Sequence, residues 1–145
     1  KDTVTARFIY SYFNQEPRHI LATASATTTY NSNTIREYNG LVSPGSATIG
    51  LVLGVSQNLS AQLQMDLYPS SAGNVAIGGI GIDTLTAYYA NWYRLYHKYN
   101  SQATHMCAFN EVVAAGYHYI AALQSCGGAY ICYYEQLCLT GTLRM

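Results

Sequence analysis

Charge is scarce in this chain. Seven Lys+Arg face seven Asp+Glu among 145 residues, so 10% of positions are charged and the net charge is zero. An ordinary soluble domain carries about 25%. So few cations leave nothing to follow a phosphate backbone, and nucleic acid is not expected to bind this segment. A neutral surface also has little repulsion to hold copies apart, which suits a protein that lives in an assembly.

The usual marks of catalysis are missing too. There is no Gly-x-Ser-x-Gly elbow. The one Gly-x-Gly, Gly79-Ile80-Gly81, lacks a third glycine opening a helix. The carboxylates Asp2, Glu16, Glu37, Asp66, Asp83, Glu111 and Glu135 are scattered, and no acid–base pair stands out. No enzymatic activity and no cofactor are expected. No apolar run reaches ~18 residues, so no membrane contact is expected. Repeats, low-complexity tracts and linkers are absent. The chain starts at Lys1 without an initiator methionine or a charged-then-apolar leader, so a processed product or a trimmed chain is expected.

What is present is β-structure. Fifteen tyrosines accompany many Thr, Ser and Asn. Thr3 to Phe13 alternates Val4, Ala6, Phe8, Tyr10 and Tyr12 on one side with Thr3, Thr5, Arg7 and Ser11 on the other, Ile9 and Phe13 being exceptions. That is a long, half-buried terminal strand, which must pair with its own sheet or a neighbour's. Asn14 to Arg18 breaks it. Ile20 to Tyr30 reads as a strand, as does Thr34 to Val42. In Ala47 to Ser56 the apolar positions are Ile49, Leu51, Leu53 and Val55. In Leu59 to Tyr68, Leu59, Ala61, Leu63, Met65 and Leu67 alternate with polar residues. Joined by Ser56-Gln57-Asn58, the two runs predict a β-hairpin. Val75 to Ile82 is a strand whose Gly78, Gly79 and Gly81 predict a bulge or a close backbone approach. Ala103 to Phe109, Val112 to Leu123 and Ala129 to Leu143 complete the set, the second also readable as a short helix.

Asp83 to Asn100 stays open. Leu85, Tyr88, Tyr89, Trp92, Tyr93, Tyr96 and Tyr99 recur at helical spacing, with Asp83 placed as an N-cap. The reading is a helix, or an irregular segment leading into a strand; a strand covered on both faces also fits. Tyr88, Trp92 and Tyr96 could stack on a glycan, or form an aromatic layer in a core or interface.

Cys107, Cys126, Cys132 and Cys138 all lie in the last third. On one strand Cys132 and Cys138 would sit ~20 Å apart, too far to bridge. That leaves a bridge from Cys107 to one of the others, or buried free thiols. His105 and Cys107 share a strand face, but no further ligand pair completes a metal site, and none is expected. Asn58-Leu59-Ser60 matches the glycosylation sequon.

Eight or more short strands separated by turns predict an all-β sandwich. Two family resemblances refine it. Lys1 to Ala6, then Tyr30-Asn31-Ser32 with Thr34-Ile35 and Tyr38, then Gly128-Ala129-Tyr130 with Leu137 and Leu139-Thr140, resemble the major subunits of colonisation-factor-type fimbriae built by the alternate chaperone–usher route. That resemblance implies an immunoglobulin-like antiparallel sandwich completed by a neighbour's donor strand. Residues 1–13 would be the donor and 14–145 a single domain. Val4, Ala6, Phe8, Tyr10 and Tyr12 would fill the neighbour's groove. The product is an extracellular, head-to-tail homo-oligomeric filament, with a chaperone and an usher as further partners. Asp83-x-Leu85 with Tyr89, Tyr93, Arg94 and Leu95, and the ending Tyr130 to Glu135, are similar instead to small viral jelly-roll capsid proteins. Their implication is a capsid subunit in a virion. A carbohydrate-binding sandwich is the third expectation.

Overall fold

The computed structural model describes residues 7–9, 17–38, 47–71, 74–89, 95–97, 102–127 and 131–144, with residues 7–9, 95–97 and 144 described by backbone alone. Among them the chain forms eleven strands: β1 Arg7–Ile9, β2 Pro17–Ala24, β3 Thr28–Tyr30, β4 Arg36–Glu37, β5 Thr48–Leu53, β6 Gln57–Pro69, β7 Val75–Ile82, β8 Leu95–His97, β9 Ala103–Val113, β10 Gly116–Gly127 and β11 Cys132–Arg144. They build two sheets. One runs β2-β11-β6-β9, with β3 also on β11. The other runs β1-β5-β10-β7-β8, with β4 also on β10. All pairs are antiparallel except β1 with β5. The protein is an all-β sandwich.

The connectivity follows a simple rule. Set aside the short β1, β3 and β4, and number the other eight strands in chain order. The first pairs with the last, β2 with β11. The second pairs with the seventh, β5 with β10, and the third with the sixth, β6 with β9. The fourth pairs with the fifth, β7 with β8. This is one long nested hairpin. It is rolled up so that β11 also meets β6, and β10 also meets β7. Such a roll is the eight-stranded jelly roll, and it differs from the immunoglobulin-like order expected.

Rolling also overturns the expected hairpin. β5 and β6 are strands, but they lie in opposite sheets. Each contributes its apolar parity to the space between the sheets. Ile49, Leu51 and Leu53 come from one side, and Leu59, Leu63, Met65 and Leu67 from the other, all at 0–2% exposure. Alternation tells which face of a strand is apolar, not which strand lies beside it.

β10 is buried on both faces from Ile120 to Cys126. Ile120, Ala122 and Cys126 belong to the core between the sheets. The opposite face is covered by the chain after β7. There Tyr89 N–H donates to Ile80 O (2.7 Å), and the Tyr88 hydroxyl meets Ser125 Oγ (2.8 Å). Gly81 permits the close approach expected of the glycine-rich strand. A Cβ there would stand 2.7 Å from Leu123 Cδ1.

Of the readings left open after Asp83, the described residues take the irregular segment and a strand at Leu95–His97, not the helix. Asp83 takes φ 54° and turns the chain back over the sheet, and Leu95–His97 is strand β8. Tyr88 and Tyr89 are both tied to that sheet. Pro17 opens β2, an edge strand, where its missing N–H costs no ladder bond.

The cysteines also depart from expectation. Cys126 and Cys132 are bridged, with Cα atoms 5.8 Å apart, while Cys107 and Cys138 are free. Cys132 and Cys138 do share one strand, β11, but Cys126 does not lie along it. Instead Cys126 closes β10 in one sheet and Cys132 opens β11 in the other. The bridge therefore staples the two sheets. Cys107 and Cys138 sit on β9 and β11, on either side of β6, too far apart to join.

Polar rivets add to the staple. Tyr38 donates to Ala26 O (2.5 Å), Tyr134 donates to Ser125 O, and the Gln124 amide donates to Thr28 Oγ1 (3.2 Å) while its carbonyl accepts from Arg36. Arg36 also lies over the Tyr30 ring, 3.7 Å from its centre.

Two outcomes are expected. Replacing Cys126 and Cys132 together by Ala should lower stability by about 2 kcal/mol, given the short loop they close; urea denaturation measures it. The second concerns alkali. Burial pushes the Cys107 thiol from 9.0 to about 12, and burial also raises the Tyr134 and Tyr38 hydroxyls. Each folded group favours its neutral form. Stability is therefore full below the unfolded value and is lost as pH rises towards the folded one. For Cys107 that interval is 9.0 to about 12, and Cys107→Ala should flatten part of the slope in denaturation curves measured across it.

Candidate assembly surface

The sequence placed a donor strand at the N-terminus. Of its residues, Phe8 falls in β1, in register with Leu51 on β5. Val4, Ala6, Tyr10 and Tyr12 lie outside the described residues, and so does Trp92. Tyr96 falls in β8, in register with Ile77. Tyr88 is half-buried, its hydroxyl tied to Ser125 and Ile77 O. His105 and Cys107 do share a face of β9, and it is the inward one, opposite Met65 and Leu63. Among the described residues no three His, Cys, Asp or Glu side chains converge as metal ligands would.

One end of the sandwich gathers exposed apolar side chains. The register Gly116 with Leu53 sets the start of β10 beside the end of β5. The register Gln57 with Val113 sets the end of β9 beside the start of β6. The β5–β6 and β9–β10 corners therefore meet. Around them Val52, Val55, Val112 and Tyr117 are exposed by 41%, 38%, 70% and 59%. Tyr117 leans across Gly50, where a Cβ would come within 3.1 Å of its hydroxyl. Glycine at that position gives the ring a flat bed on the sheet.

The outer face of β2-β11-β6-β9 has another character. Leu21, Gln62, Gln64, Met106, Thr140 and Thr142 carry no charge. The Gln62 amide reaches Met106 Sδ at 3.1 Å. Small residues leave a shallow hollow of about 340 Å³ between Leu21, Ser60, Gln62, Ala108 and Thr140.

At its far end this face turns acidic. Asp66 on β6 is directly opposite Glu135 on β11, a like-charge pairing that is unfavourable by itself. Gln102 relieves it: one Nε2 donates to Asp66 Oδ2 (3.0 Å) and to Glu135 Oε2 (3.2 Å). The next cross-strand pair is Tyr68 with Tyr133, stacked at 4.8 Å and 14°. Tyr68 donates to Glu135 Oε1 (3.2 Å). Burial, then the Glu135 charge, raises the Tyr68 hydroxyl, keeping it a donor. Sequence reasoning missed this array, because nothing local says that β6 lies beside β11.

No protein-family model matches this sequence, and no curated protein does. Solved structures do. Dimeric latent PorU from Porphyromonas gingivalis matches over 89% of this chain and 13% of its own, with TM-score 0.55 and 8% identity. The infectious bursal disease virus Gx strain matches over 90% of this chain and 32% of its own, with TM-score 0.49 and 13% identity. The likeness is one of fold. This chain spans about an eighth of the first of those chains and about a third of the second.

The acidic array predicts a measurable coupling. Gln102→Ala should destabilise by about 1–2 kcal/mol, because two facing carboxylates lose their shared donor. The loss should be smaller in a Glu135→Gln background. A double-mutant cycle by urea denaturation reads the difference.

Proposed function

We propose that this chain is a non-enzymatic structural subunit whose copies assemble into a closed shell, of the virion-capsid kind. The carrying observation is the completed jelly roll. Its eight nested strands close a core in which Ile20, Leu51, Leu63 and Leu139 are at 0–1% exposure within a single chain. A sandwich awaiting a neighbour's strand has an open apolar groove, and among the described residues this core is closed. The jelly roll is a fold that capsid and lectin domains use. A charge-poor, neutral surface and the apolar corner of Val52, Val55, Val112 and Tyr117 favour contact between copies. The Cys126–Cys132 bridge fits a protein that spends its life in an oxidising setting, outside cells or in a virion.

A second reading keeps the filament. β1 is a three-residue edge strand and the one parallel pairing among the described strands. Such a pairing can be exchanged between copies, with Val4, Ala6, Phe8, Tyr10 and Tyr12 travelling with it, and chaperone and usher proteins would then be partners.

Electron microscopy with sedimentation velocity on the unmodified chain separates these readings. Closed particles are expected. Filaments would favour strand exchange, and a monomer at every concentration would overturn both. Val112→Ser with Tyr117→Ser should weaken assembly while changing monomer stability by no more than about 0.5 kcal/mol, as exposed positions do.

A further inference from the structure

The end of the sandwich that carries the apolar corner also carries a histidine held on both sides. Asp83 leaves β7 with φ 54° and is pinned to β10 twice. Its N–H donates to Tyr119 O (3.0 Å), and its Oδ1 accepts from Tyr119 N–H (3.0 Å). Its second oxygen, Oδ2, lies 2.7 Å from His118 Nδ1. Across the same ring, Nε2 lies 3.0 Å from Ala114 O, in the β9–β10 corner. Gly116, at φ 143°, bends the corner back to that position.

Both oxygens can only accept once the carboxylate is ionised. A neutral imidazole offers one N–H and one lone pair. Either neutral tautomer therefore sets a lone pair against an oxygen. Only the imidazolium donates at both ends. The ring itself is 15% exposed, whereas its partner Asp83 is 44% exposed. One proton thus decides whether the corner is tied to the end of β7.

We propose that His118 is a proton-operated latch on the β9–β10 corner. Protonated, it joins Ala114 to Asp83; on losing the proton it keeps one partner and releases the other. The groups facing it among the described residues are few. Asp83 comes from the end of β7, the Ala114 carbonyl from the corner, and Tyr117 and Tyr119 from β10. Glu37 of β4 acts on Tyr119 by its charge. Burial, then Asp83, raises the Tyr119 hydroxyl, so it stays neutral and brings no second charge. Val112 and Tyr117 flank the corner, and its release reshapes the apolar patch they form. The latch is read within a single copy and does not rest on the assembly proposed above.

The test is nuclear magnetic resonance on the intact chain. Ring ¹⁵N shifts report the two nitrogens of His118, and amide hydrogen exchange reports Ala115, Gly116 and Tyr117. Both nitrogens should be protonated at the acid end. As pH rises, corner exchange, corrected for its intrinsic base catalysis, should accelerate about ten-fold in step with the ring's titration, the factor for losing one charged hydrogen bond. His118→Phe should exchange at the fast rate at every pH. Should that variant not fold, Asp83→Asn keeps an acceptor for Tyr119 N–H and sets an N–H donor against Nδ1, so the neutral Nε2–H ring holds both partners and corner exchange should stay slow at every pH. A ring that never carries both protons, or corrected exchange that ignores pH, would overturn the latch.

Discussion

The pairing of β2 with β11 is the constraint on which the rest of the molecule depends. His19 and Thr142 are 123 residues apart, yet their side chains meet across these strands. Between the first and last long strands the inner pairs nest in order. Bonds of this range close large loops before any contact offsets the lost entropy, and local preference contributes little. The same pairing sets Gly141 against Ile20. A Cβ on Gly141 would stand 2.8 Å from Ile20 Cδ1, so the last strand needs its glycine for the first to lie flush.

Two sheets formed this way must still be held face to face. Apolar side chains do most of this, since burying a Leu contributes about 1.5–3 kcal/mol. Hydroxyls and the disulfide then give the packing one geometry. Tyr38 and Tyr134 each send a hydroxyl to a backbone carbonyl, and Thr28 meets Gln124 between the sheets. These bonds are directional, where apolar burial is not, so they resist sliding of one sheet over the other. Cys126–Cys132 joins the sheets where the chain last crosses between them.

Much of this was legible from residues alone, and the failures have physical causes. The alternation of Leu59 to Leu67 predicts β6, and Val75 to Ile82 is β7 with the bounds expected. Gly81 is close-packed, as its glycine-rich context predicts. The β5–β6 hairpin fails because two alternating runs look alike whether they are neighbours or face each other. The helix after Asp83 fails because tyrosines at three- and four-residue spacing can equally well anchor an irregular strap. Neither the Asp83–His118 pair nor the Tyr68–Tyr133 stack could be found in advance. Their members lie 35 and 65 positions apart and meet only through strand register.

By itself the sequence determined strands such as β5, β6 and β7 with their inward faces, the sparse charge and the absence of recognisable catalytic motifs. Each of these is a local or compositional property, set by side-chain period and type. Only the tertiary structure decided which strands pair, hence the jelly-roll order, the bridged cysteines, the exposed corner and the doubly held His118. Those depend on register between distant segments. That register follows from the packing of the whole chain, and a pattern that repeats every two residues cannot encode it.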